Sequence, residues 1–235
     1  MNSKVASGPH DPANQRAVYV FEAPVRLWHW LHAFSFAALA VTGYLIANPL
    51  PSLAGEASDH FLMGDIRLIH FISAYVFAIG FAVRVYWALV GNRYAREIFY
   101  LPFWRPSWWK GLFYEIGFYL FLTRRQHKML GHNPLAQAAM FFLNTLVTIF
   151  MIGTGFALYS EGLGIDSWAD RMFGWVIPLI GDSEGVHDWH NLGMWVMLTF
   201  VIIHIYMAVR ADIIGRESSV STIIGGWRMF KDDQP

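Results

Sequence analysis

HDWHNLGMWVMLTFVIIHIYMAVR, residues 187–210, is an apolar run long enough to cross a bilayer as a helix, and it carries two histidines, His190 and His204, fourteen positions apart. At 3.6 residues per turn, fourteen steps return a side chain to within about 40° of its starting direction and raise it by roughly 21 Å. Both imidazoles therefore face one way at two depths. A histidine on a lipid-spanning helix is costly unless something uses it, typically a proton path, a metal or a haem iron. One alone is explained as well by a bond to a neighbouring carbonyl. Two on one face need partners on other helices at two levels.

Composition bounds the class. Of 235 residues, 55% are hydrophobic, 17% aromatic and only 14% charged, more apolar than a soluble domain of this length requires. The chain reads as an all-α, polytopic membrane protein whose surroundings are lipid. Its formal net charge is zero, so the overall balance points to no partner, and no nucleic-acid partner is expected. Cysteine is absent, which excludes disulfides, thiolate-held iron–sulfur clusters and covalently attached c-type haem, and leaves histidine as the strong ligand. Any haem here is b-type and non-covalent. Residues 1–20 are polar, contain Pro9 and Pro12, and lack the basic-then-apolar order of a signal peptide, so a cleaved one is not expected.

Four spans are predicted, at about 25–47, 63–91, 135–159 and 188–209, separated by Asn-Pro and Gly-containing breaks. The result is a four-helix transmembrane bundle (25–212) between a short N-terminal tail (1–24) and a C-terminal tail (213–235). Fourteen lysines and arginines lie in the tails, in the 91–134 loop and, as Arg26 and Arg210, at the adjoining span ends, against Arg67 and Arg171 alone at the other two loops, so both termini are expected in the cytoplasm. The aromatic stretch that begins at Pro102 suits an amphipathic surface helix between spans two and three. A fifth span competes, but Lys110 and Glu115 interrupt the run and a fifth crossing would break the charge bias. The loop 161–188 is acidic, through Asp166, Asp170, Asp182 and Glu184, and is either ordinarily solvated or a docking surface.

Depth pairs the histidines. His29 and His32 fall at the cytoplasmic start of span one, His70 in the outer part of span two, His190 at the outer start of span four and His204 near its inner end. His70 thus pairs with His190 outside, and His29 or His32 with His204 inside, enough for two stacked bis-histidine haem b sites. Spacing alone leaves His29 and His32 open, since residues three apart share a helix face. Gly43, Gly80, Gly153, Gly155 and Gly193 would admit a flat macrocycle, or simply close helix contacts. Arg84, fourteen residues after His70, either neutralises a haem propionate at the inner level or snorkels to the headgroups. His187 reads as a loop histidine, with metal binding or docking as its alternative; His10, His60, His127 and His132 read as surface residues.

Several segments carry a resemblance: FEAPVRLWHW (21–30), RLIH (67–70), WALVGNRY (87–94), GHNPLAQAAM (131–140), GTGFALYSE (153–161) and DWHNLGMW (188–195). Together they resemble the cytochrome b subunit of membrane-bound nickel–iron uptake hydrogenases, over roughly residues 20–228. Similar four-helix dihaem cytochromes serve formate dehydrogenases. The family's ligand pattern falls on His29, His70, His190 and His204, and it is the resemblance that selects His29 over His32. It implies a bacterial inner-membrane protein with the large and small subunits of a nickel–iron hydrogenase as periplasmic partners. The expected function is electron transfer from that heterodimer through the outer and then the inner haem to a quinone near the cytoplasmic side. Hydrogen oxidation itself would belong to the partners. The competing readings are a haem-free membrane anchor and a histidine-lined zinc or proton transporter. A transporter would be expected to have internal repeats or broken helices, and the sequence suggests neither.

Overall fold

The computed structural model describes residues 17–51, 56, 61–123, 130–213 and 218–229. Of the basic residues counted above, Lys4, Arg16, Arg124, Arg125, Lys128, Arg216 and Lys231, together with the histidines His10, His60 and His127, most of the N-terminal tail and part of the C-terminal tail, lie outside the described residues.

The described chain is helical, in the order α1 (Ala23–Ala47), α2 (Leu62–Val90), α3 (Pro106–Tyr119), α4 (Pro134–Leu163), α5 (Trp168–Phe173), α6 (Val176–Ile180), α7 (Ser183–Ile213) and α8 (Ser219–Gly225). Four of these, α1, α2, α4 and α7, are long and apolar enough to cross a membrane, with 25 to 31 residues each. At 1.5 Å per residue even the shortest reaches about 37 Å, more than a hydrocarbon core of about 30 Å. The 14-residue α3 reaches only about 21 Å, so it does not span, and the four-span reading holds over the fifth-span one.

Apolar side chains point outward as well as inward. Leu27, Phe34 and Val41 on α1, Leu68, Ile79 and Val83 on α2, and Ile202, Ile203 and Ile205 on α7 are all exposed on the isolated chain. Water would not tolerate such a surface; lipid does, and helices satisfy every interior backbone group internally. Inside, Phe36, Phe77 and Met197 form a buried layer, with Leu39, Val147, Met151, Ile152 and Val201 packed around it.

Local chemistry sets the helix ends. Pro134 occupies the first turn of α4 and the Asn133 side chain accepts from the backbone N–H of Ala136 at 2.7 Å, a paired start signal. Gly164, at φ 88°, ends the same helix in a conformation costly for other residues. A π-helical stretch, Met140–Leu146, lies inside α4, and there Thr145 Oγ1 donates to Ile98 O at 3.0 Å. Helix α7 begins at Ser183, ahead of the expected 188, because Asp182 accepts from the Gly185 N–H at 2.7 Å and nucleates a turn beyond the apolar run. Hydropathy marks where lipid ends, not where a helix does.

Both described ends meet. Val18–Tyr19 (β1) pairs antiparallel with Trp227–Arg228 (β2), Val18 opposite Arg228 and Tyr19 opposite Trp227. Glu22 Oε2 accepts from Trp87 Nε1 and from the Asn92 backbone, each at 2.9 Å, tying the start of α1 to the end of α2. An even number of crossings follows.

Candidate functional site

At the end of the bundle that holds both described ends, His29 on α1 and His204 on α7 face each other with ring centroids 6.4 Å apart. A first-row metal ion lies about 2.0 Å from an imidazole nitrogen, itself about 1.1 Å from the ring centre, so two rings sharing one ion have centroids roughly 6 Å apart. The spacing fits one iron between them. Phe200, one turn before His204, stacks on its ring at 5.7 Å. His32 takes no part in this pair. Its ring stacks on Phe77 at 4.0 Å, and both its nitrogens are buried, with the Asn144 side chain beside them.

Arg84 lies at the same level. Its guanidinium is held 5.2 Å from the ring centres of both Trp28 and Phe99 and donates to Ala95 O at 2.6 Å. Only 2% of the residue is exposed, so it does not snorkel into headgroups; the two aromatic faces hold it inside. Its Nε and Nη1 are buried without a hydrogen-bond partner among the described residues. Unanswered cationic donors at the level of the imidazole pair fit a carboxylate, such as a haem propionate.

The level expected to be outer is built differently. His70 on α2 turns toward α1, where Thr42 Oγ1 lies 2.8 Å from its Nδ1. A Cβ added at the next residue, Gly43, would stand 3.3 Å from His70 Cε1 and 3.7 Å from Met194 Sδ, so the ring, α1 and α7 converge there. His190, one turn before Met194 on α7, turns toward α4. Thr154 Oγ1 lies 2.8 Å from its Nδ1, and a Cβ at Gly155 would stand 3.1 Å from its Cε1. Gly43 and Gly155 thus matter for close approach to histidine rings. Gly193 packs against Met151, and a Cβ at Gly153 would meet nothing within 4 Å.

Other residues depart from expectation. His187 is within α7, not a loop, and its Nδ1 bonds Ser183 O at 2.9 Å one turn back. His132 is no free surface residue: its backbone N–H and its Nδ1 both bond Glu97 Oε2, at 2.7 and 2.8 Å. Both depend on partners that the sequence separates by a turn or by 35 positions. Glu115, one of the two charges that interrupt the apolar run of α3, is 1% exposed and accepts from Asn133 Nδ2 at 3.3 Å, so α3 turns Trp108, Glu115 and Phe118 inward and Trp109 and Phe113 outward. In the 161–188 loop, Asp170 and Asp182 bind backbone N–H groups of their own turns, so part of the acidity there is helix capping.

The threonines are what sequence reading missed. A hydroxyl on an apolar helix carries little signal, yet Thr42-Gly43 and Thr154-Gly155 repeat one dipeptide in spans one and three. Each serves a histidine of the following span.

Long helices that face apolar surface outward and histidines inward define a membrane-embedded, histidine-bearing bundle. The chain belongs to the prokaryotic cytochrome b561 family, whose pattern matches residues 20–226. It is similar to the probable Ni/Fe-hydrogenase B-type cytochrome subunit of Azotobacter vinelandii, 57% identical over 99% of this chain and 97% of that one. The counterpart so described in Cupriavidus necator is 53% identical over 92% and 89%, respectively. A probable Ni/Fe-hydrogenase 1 B-type cytochrome subunit of Escherichia coli K12 is 52% identical over 91% of both chains. Membership implies haem b.

Proposed function

We propose that this protein is the membrane electron-transfer subunit of a nickel–iron hydrogenase, taking electrons from the periplasmic large and small subunits and delivering them to quinone near the cytoplasmic face. It would anchor the heterodimer as well. The observation that carries the reading is the facing imidazole pair, His29 and His204 at 6.4 Å, in a chain of a cytochrome family. Relatives named as Ni/Fe-hydrogenase subunits support the choice of partner. Haem b, when bound, supplies a one-electron couple.

The chain's residues do the rest. His29 with His204, and His70 with His190, would hold two haems. Arg84 offers buried positive charge to a carboxylate at the inner level. Phe36, Phe77 and Met197 fill the space between levels and exclude water. The protein's part is holding, spacing and tuning.

Absorption spectra of the purified protein with a pyridine haemochrome count test this directly. Two haems per chain are expected, all removed by acid–acetone because there is no cysteine to retain them. A haem-free protein would instead be an anchor. Reducing hydrogenase-containing membranes with hydrogen, and separately with formate, distinguishes this partner from a formate dehydrogenase.

The basic residues support both termini lying in the cytoplasm. Reporter fusions at the C-terminus and after Glu161 are expected to report opposite sides, with the C-terminal one inside.

A further inference from the structure

We infer that Thr42 and Thr154 are positioning residues that fix the tautomer of the outer histidine pair and hold the outer haem at a lower potential than its ligands alone would give. The inference rests on the assignment of His70 and His190 as haem ligands. It begins with the single proton on each hydroxyl. Thr42 Oγ1 lies 2.7 Å from Ala38 O, and Thr154 Oγ1 lies 2.9 Å from Phe150 O. A carbonyl can only accept, so each hydroxyl proton is committed to its own helix. The 2.8 Å contacts to His70 Nδ1 and His190 Nδ1 therefore run the other way, the ring N–H donating to the threonine oxygen.

Two consequences follow. With the proton on Nδ1, Nε2 keeps its lone pair, the form a metal needs. Donation from Nδ1–H also makes the imidazole a stronger base and a stronger ligand, favouring the ferric over the ferrous state. The neighbouring glycines allow the geometry: at Gly43 and Gly155 the ring edge occupies the space a side chain would take.

The inner level lacks this device. His29 Nδ1 is buried without a hydrogen-bond partner among the described residues. The donor bond thus acts on both ligands of the outer level and is absent at His29, lowering the outer potential relative to the inner. Electrons arriving outside meet a step that runs downhill inward.

The test is redox titration of the visible bands, with electron paramagnetic resonance of the oxidised haems, on the intact complex in membranes. Thr154→Val keeps the shape and removes the acceptor. It is expected to raise one of two midpoint potentials by about 59 mV, a tenfold loss of ferric preference for a one-electron couple. One set of g values should move with it and the other stay. Thr42→Val should move the same haem, and Thr154→Ser should restore the wild-type value. If a valine variant loses the outer haem, its return in the serine variant supports the inference, and loss from both overturns it. Unchanged potential and g values with both haems present also overturn it, as does an equal shift of both haems. Failure of the underlying assignment is visible earlier, as wild-type protein without two haems.

Discussion

His190→Ala is expected to yield a protein with one haem in place of two, and membranes that no longer reduce quinone with hydrogen. Haem iron held by two imidazoles loses half its protein ligands. His70→Ala should give the same remaining spectrum, because both variants empty one level. His29→Ala and His204→Ala should leave the other spectrum. The pairs differ in what hydrogen can still do. Without the outer haem, the remaining one stays oxidised under hydrogen but responds to dithionite. Without the inner haem, the remaining one is reduced by hydrogen while quinone is not. His32→Ala is the control, expected to retain both haems, since its ring is occupied by Phe77 and not turned toward His204. Spectra that group His70→Ala with His204→Ala would reject the pairing by level.

Gly155→Ile is expected to be as damaging as loss of the ligand itself. The first added carbon already stands 3.1 Å from His190 Cε1, and a branched side chain cannot fit without rotating the ring off Thr154. The outer haem should be lost and hydrogen-driven quinone reduction with it. Gly155→Ala adds only the first carbon and should weaken outer haem retention by roughly 10- to 100-fold, the range for a disturbed ligand support. Gly162→Ala, on the same helix where a Cβ meets nothing within 4 Å, should leave both haems in place. Extraction of haem under graded detergent, followed spectrally, measures the three variants side by side.

The bundle was legible because its signals are one-dimensional. Apolar length against bilayer thickness gives four spans, and the fourteen-residue recurrence of His190 and His204 gives two levels. Partners that come from a different helix were harder to read. Arg84 could be placed on a face, but only the structure reveals Trp28 and Phe99 on either side of it. Thr42 and Thr154 were invisible because a threonine bonding its own helix is ordinary in a membrane span, and the histidine it also meets is 28 or 36 residues away. His132 was misread for the same reason: its Glu97 partner sits across the whole of α3. The starts of α5 and α7 fell outside the apolar runs, where capping carboxylates and hydroxyls decide, as with Ser167 accepting from the Asp170 N–H.

The apolar layer of Phe36, Phe77 and Met197 has an electrical consequence. None of these three side chains can relay a proton alongside an electron, so an inward transfer through this layer on the proposed path would move uncompensated charge. Across a membrane held at 100 mV, negative inside, such a transfer works against about 2.3 kcal/mol for a full crossing. The rate of hydrogen-driven quinone reduction should then fall as the membrane is energised and recover with an ionophore, making the protein a generator of voltage and also answerable to it.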